Sequence, residues 1–164
     1  MTKAFVLALV LALCAQGALA QGAQVAFGGL KQDTSLPVEI SADSLSVNQT
    51  DGTAVFSGNV IVGQGEMRLS AAEIRVAYGD DGKTIKTLFA TGGVTIANAT
   101  DAAEAREAVY EVATGAVVMT GDVLLTQGQN AITGQKLRLD LKSGTGVMEG
   151  RVTTTFVPGQ EGSP

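Results

Sequence analysis

The stretch Phe56-Ser57-Gly58-Asn59-Val60-Ile61-Val62-Gly63-Gln64-Gly65 alternates apolar with small or polar residues and is broken by glycine. It reads as strand, tight turn, strand, tight turn. The phrase returns in weaker form as Thr91-Gly92-Gly93-Val94, Thr120-Gly121-Asp122-Val123 and Glu149-Gly150-Arg151-Val152. The copies recur at intervals of about 30 residues, the range of stacked or solenoid-like architectures. In such arrays one unit cannot bury its apolar face alone, so neighbours must stack. The marker glycine supplies a backbone conformation that side chains forbid, at a bend between strand segments.

Around each marker the apolar residues keep a period of two, the pattern of half-buried strands. Leu45 and Val47 precede the first marker, beyond the hairpin signal Asp51-Gly52. Met67 and Leu69 follow it on the same face as Phe56, Val60 and Val62. Ile74, Val76 and Tyr78 open the second unit, Ala108, Tyr110 and Val112 the third, and Leu137, Leu139 and Leu141 the fourth. Gln127-Gly128 repeats Gln64-Gly65 at the matching place. Phe56, Met119 and Met148 each sit two residues before a marker glycine, so they are expected to point inward on equivalent strands. One segment competes: Asp101 to Ala108 is rich in Ala, Glu and Arg and by propensity alone reads as helix. The repeat register sets Tyr110 and Val112 against Leu139 and Leu141, so its C-terminal half is expected to be strand, with at most a short helical turn before it. Many short strands with glycine punctuation predict an all-β fold, and the repeat favours a roll of stacked, V-shaped antiparallel hairpins, open at both ends. An open end leaves unpaired backbone groups that can template another chain.

The 164 residues give one domain, with a net charge of −5 that disfavours nucleic acid as a partner. Residues 1–20 read as a secretory signal peptide: Lys3, an apolar run from Ala4 to Leu13 too short to span a membrane, then Ala18-Leu19-Ala20 as the cleavage site. Leu13 before Cys14 argues against a lipidation box. Residues 21–36 read as a flexible leader, 37–158 as the β-domain and 159–164 as a polar tail. The mature protein is then exported without cysteine, so β-packing rather than disulfides must hold it together.

Catalytic chemistry is scarce. There is no His, and the only Cys is Cys14, so common triads and soft-metal sites have no residues to use. Asp80-Asp81 lies in a glycine turn, where hydrophilic turn chemistry is the simpler account than a calcium site. Glu104, Glu107 and Glu111, like Arg68, Arg75 and Arg106, read as solvated surface. The glycine phrases lack a P-loop lysine and do not open a helix. The expectation is a protein that is not an enzyme, with no cofactor and no bound metal. What remains is the apolar face, including Val38, Ile40, Phe56, Phe89, Tyr110, Met119 and Phe156. Periodicity alone leaves open whether it fills a closed core or lines a groove. Three readings compete: a lipid-conducting bridge, a structural β-roll assembly module without lipid cargo, and a short carbohydrate-binding β-solenoid.

Pro37-Val38-Glu39-Ile40-Ser41-Ala42-Asp43, Phe56-Ser57-Gly58-Asn59-Val60 and Gln64-Gly65 resemble the opening of the OstA-like, or LptA, family of periplasmic lipopolysaccharide transport proteins. Tyr110-Glu111-Val112, Val118 to Val123 and Arg151 to Thr154 resemble its second half, so the likeness runs from Pro37 to Pro158. The resemblance implies a β-jellyroll open at both ends. It implies stacking end to end, with itself and with LptC-like and LptD-like jellyrolls, into a bridge between the inner and outer membranes. Lipid A acyl chains of lipopolysaccharide would travel in the apolar interior. By position it assigns Val38 and Ile40 to the strand facing lipid and neighbour, and Phe56, Tyr110 and Met119 to the interior; Phe89 joins them as a member of the apolar face. Where some members carry basic residues, this chain has Tyr78-Gly79-Asp80-Asp81. Directional energy must come from elsewhere, because the chain carries no nucleotide-binding motif.

Overall fold

A computed structural model of the chain describes residues 23–26, 30–48 and 50–157. The residues read as signal peptide and polar tail, with Cys14 and Pro158, lie outside the described residues. The strands, in chain order, are β1 Ala23–Ala26, β2 Glu39–Ser41, β3 Ser44–Asn48, β4 Thr53–Gln64, β5 Met67–Tyr78, β6 Ile85–Ala97, β7 Asp101–Glu111, β8 Ala116–Gln127, β9 Asn130–Asp140, β10 Thr145–Glu149 and β11 Thr153–Thr155. All pairings are antiparallel, in the order β1-β10-β9-β8-β7-β6-β5-β4-β2, with β3 on β4 and β11 on β9. The sheet does not close into a barrel.

The marker glycines do not turn the chain. Strand β4 runs straight through Gly58-Asn59 for 12 residues. Gly58-Asn59, Gly92-Gly93, Gly121-Asp122 and Gly150-Arg151 all have positive φ, and across the first three the register slips so that two residues face one. Each is a β-bulge, which bends its strand and raises the local twist. They line up across the sheet into one crease. The crease divides the sheet into a first arm, which includes β3, Thr53–Ser57 and Glu73–Tyr78, and a second arm, which includes β2, Val60–Gln64 and Met67–Ala71. Glycine leads each pair because the strands touch there: a Cβ at Gly92 would lie 2.5 Å from the Ala72 Cβ, and one at Gly121 would lie 2.9 Å from that of Arg106. The predicted tight turn at Gly58-Asn59 is thus a bulge, since the flanking residues keep their ladder partners on both sides, whereas the one at Gln64-Gly65 is the hairpin turn between β4 and β5.

Period two places the core between the arms. Phe56, Ile74, Ala90, Ala108, Met119, Leu137 and Met148 form one continuous row of register partners on the first arm. Ile40, Val62, Leu69, Ile96, Ala103, Leu125 and Ile132 form another on the second. Most members are buried, Met119 and Met148 completely, and Phe56 is half-buried on the same face. The inward orientation expected for Phe56, Met119 and Met148 therefore holds. Asp101–Glu111 is strand throughout, without the helical turn that propensity suggested. Ladder partners on both sides and a buried Ala103, Ala108 and Tyr110 outweigh a preference of a few tenths of a kcal/mol per residue.

Part of the stretch read as a flexible leader has a fixed place. Ala23–Ala26 pairs with β10, and Leu30–Leu36 crosses the mouth between the free rims of the two arms. Leu30 is buried in the core. Alternation cannot signal Leu30–Leu36, because its backbone is not in a ladder.

Candidate functional site

The site is the apolar space between the arms, with its mouth and two ends. At the mouth, the Gln32 N–H donates to the Leu141 carbonyl at 2.7 Å, on the rim of the first arm. The Gln32 side-chain amide donates to the Gln64 carbonyl at 2.7 Å, on the rim of the second. Gln64 Nε2 donates to the Thr34 and Leu36 carbonyls at 3.1 and 2.9 Å. Its Oε1 accepts from the Tyr110 hydroxyl at 2.6 Å. Tyr110 belongs to the first arm and Gln64 to the second, so this bond spans the interior. Both side chains are buried, and burial pushes the Tyr110 hydroxyl up to about 12. The segment Leu30–Leu36 thus forms a strap across the mouth. Gly65 permits its close passage: a Cβ there would lie 2.2 Å from Gln32 Nε2.

The interior beneath the strap is filled. Tyr110 and Met119, expected to meet lipid, are fully buried among Leu88, Val117, Leu137 and other core residues. The two ends differ from the centre. At the N-terminal end the inward-facing partners of Phe56 and Ala54 are Leu45 and Val47, which are 55% and 60% exposed. Val38 and Ile40 pack half-buried against the core on the other arm, the orientation expected for them. At the C-terminal end Phe156 follows β11 and is 73% exposed, while Val152 packs half-buried on the core. Among the described residues, β2–β3 at one end and β1 and β11 at the other have a free edge.

Phe89 is not in the interior, contrary to expectation. It lies on the outer face, opposite Arg75 and Val109, with the Arg75 guanidinium 4.0 Å above its ring. Leu88 and Ala90 take the inward positions, both buried. Two residues before marker Gly92 stands Ala90, so the same count that places Phe56 and Met119 inward sends Phe89 outward. The strap, and the pairing of Gln64 with Tyr110, escape the sequence reading. The repeated Gln64-Gly65 is the available signal, but by itself it indicates only a turn.

An outer hollow of about 570 Å³ lies beside the N-terminal end, lined by Leu36, Pro37, Glu39, Ile61 and Arg68 among others. Arg68 Nη1 donates to the Gly65 and Met67 carbonyls at 2.6 and 2.8 Å, which fixes it along the rim. Asp81 behaves as turn chemistry: Oδ1 accepts from the Lys83 and Thr84 N–H groups at 2.9 and 2.8 Å, and the Thr84 hydroxyl and these amides hold its carboxyl down at about 2.

Residues 39–145 match the family described as LptA/(LptD N-terminal domain) LPS transport protein. The chain belongs to this family. The lipopolysaccharide export system protein LptA of Escherichia coli (strain K12) is 31% identical over 142 residues, covering 78% of this chain and 75% of that protein. An uncharacterized protein of Rhizobium meliloti (strain 1021) is 26% identical over 157 residues, covering 89% of this chain and 84% of its own. Among solved structures, LptH of Pseudomonas aeruginosa superposes with a TM-score of 0.68 at 19% identity, over 77% of this chain and 99% of that one. LptH is described as the LptA-homologous periplasmic component of the lipopolysaccharide transport device. At that identity the superposition establishes the LptA-like fold. It agrees with the open, creased β-roll seen here.

Proposed function

We propose that this chain is a periplasmic lipopolysaccharide-binding bridge protein, which shelters lipid A acyl chains between its arms on their way from the inner to the outer membrane. One observation carries the reading: the inward apolar rows do not stop where the core stops. At the N-terminal end of the open roll they run out to Leu45 and Val47, more than half exposed beside a free strand edge, and at the other end Phe156 stands exposed just past β11. A closed structural module would cover or replace such residues with polar ones. Membership of a lipopolysaccharide transport family, and an LptA relative that names the same cargo, supply the ligand class.

The chemistry required is shielding. Each methylene withdrawn from water is worth about 0.8 kcal/mol, so several long acyl chains cross an aqueous space only inside an apolar conduit. The phosphate-bearing heads can remain in water, which fits a chain of net charge −5. Val38, Ile40 and Phe56 meet the chains first at the N-terminal end. Tyr110 and Met119 meet them once the strap lifts and the arms part. No catalytic residue is assigned. End-to-end partners are further copies of the chain and LptC-like and LptD-like rolls at the two membranes.

Photo-crosslinkers at residues 47, 56 and 156, and at the outward-facing residue 89, test this with purified lipopolysaccharide. Crosslinks from the first three and not from 89 are expected. Equal labelling at all four positions, or none, overturns the reading.

A further inference from the structure

A bridge of stacked copies, as proposed for this chain, must join the β10–β11 strand of one copy to the β2–β3 strand of another, and the junction inferred for it rests on that proposal. The two strands are complementary in register, in charge at the crease and in apolar content at their ends, with Ile40 of the second copy falling opposite Thr154 between them. Gly150-Arg151, with φ of 82° and 47°, stands where β4 has Gly58-Asn59, with 80° and 45°. Strand β4 already accepts β2–β3: Phe56 faces Leu45, Ser57 faces Ser44 and Ile61 faces Ser41, while the Asp43 N–H donates to the Gly58 carbonyl at 2.9 Å. The same register carried onto β10–β11 sets Met148 opposite Leu45 of the second copy, Glu149 opposite its Ser44 and Phe156 opposite its Val38. The exposed Val47 of the second copy then lies over Gly146, where there is no side chain to displace.

The crease adds a charge match. In β4 the Asn59 amide donates to Asp43 at 2.8 Å. Arg151 occupies the Asn59 place at the C-terminal end and is exposed. Neither Arg151 nor Asp43 has an ion-pair partner among the described residues. Within the roll, the same crease position brings Arg106 and Asp122 together as an ion pair.

One segment stands in the way. Ala23 to Ala26 of β1 pair with Met148 to Thr145, the same backbone that the incoming β3 needs. We propose that β1 is an internal stand-in for the edge strand of a second copy. In the single molecule it occupies the β10 edge of the first arm, the backbone that an incoming strand in the β4 register needs. A second copy docks by displacing it, in the β4 register, with Arg151 beside its Asp43. The result is a heterologous contact made by strand addition, which repeats instead of closing on itself.

Sedimentation velocity over a concentration series, with full-length chains carrying Cys14→Ser, tests the competition. Val25→Pro removes a donor from β1 and should move association to clearly lower concentration. Arg151→Asp and Asp43→Arg should each weaken association by about three- to tenfold, and mixing the two variants should restore it, because each mixed junction again joins opposite charges. Under mild oxidation Glu149→Cys should form a disulfide with Ser44→Cys of another copy, and far less with Ser46→Cys. Association that Val25→Pro leaves unchanged overturns the role of β1. Normal association without rescue on mixing, or with trapping at the wrong cysteine, overturns the register and leaves end-to-end stacking intact. No association of either the parent chain or Val25→Pro overturns the stacking reading itself.

Discussion

Replacing Tyr110 by Phe removes a single oxygen, and the surroundings fix what that costs. The hydroxyl is fully buried and donates to Gln64 Oε1 at 2.6 Å. The Gln64 side chain is itself 1% exposed, and its Nε2 is committed to the Thr34 and Leu36 carbonyls. The amide therefore cannot rotate its oxygen toward water without releasing the strap. Tyr110→Phe leaves a buried acceptor unsatisfied, a loss of about 1–3 kcal/mol. For a domain of this size each kcal/mol is about 2–4 °C in Tm, so a fall of several degrees is expected. The assay is urea and thermal unfolding of Tyr110→Phe beside Tyr78→Phe, whose ring is half-buried at the rim. Hydrogen exchange adds a local reading: the Gln32 amide, bonded to Leu141, should exchange faster in Tyr110→Phe. If Tyr110→Phe stays within about 0.5 kcal/mol of the parent, the range of ordinary surface changes, the cross-arm bond does not hold the strap and the reasoning fails.

The Tyr110 hydroxyl titrates near 12 when folded against 10.0 as the ordinary value, so its contribution is intact below pH 10 and lost as pH rises toward 12; stability against pH should fall over that window in the parent and less steeply in Tyr110→Phe. Gly121→Ala adds a Cβ at positive φ only 2.9 Å from Arg106 and should cost more than the roughly 1–2 kcal/mol of left-handed strain, whereas Gly82→Ala, with nothing within 4 Å, should cost about that strain alone by chemical denaturation. Ile40→Asp puts a carboxylate on the inward face at the N-terminal end; circular dichroism should stay native while lipopolysaccharide crosslinking drops. Phe89→Ala, on the outer face, should leave that crosslinking unchanged, and a large loss would return Phe89 to the lipid path.

The all-β roll and its inward rows are legible in the sequence because alternation is a local signal. Whichever strands pair, residues two apart share a face, so Met119 and Met148 can be placed from their distance to a glycine. The meaning of that glycine is less legible. A positive φ serves a turn and a bulge equally well, and only the partner strand decides between them. Phe89 shows the limit of reading hydrophobicity without parity: a large aromatic counts as interior only if its neighbours do not, and Leu88 and Ala90 already hold the inward places. The strap is hidden for a different reason. Gln32, Thr34, Leu36 and Gln64 meet through side-chain amides and lone carbonyls, which leave no period in the sequence. The Asp101–Ala108 strand is hidden by composition, and only its ladder partners reveal it.

The crease limits how the molecule can change shape. Every long strand passes through both arms, so neither arm can slide along the other without breaking ladders on both sides. What remains is rotation about one line, like the covers of a book about its spine. Opening at the mouth is then shared by all the strands at once, and the bore of the roll is set by a single angle. On the lipid path proposed above, a lipid that pried the arms apart at one end would widen the passage ahead of it, and the strap would be the clasp that returns the angle when the lipid has gone.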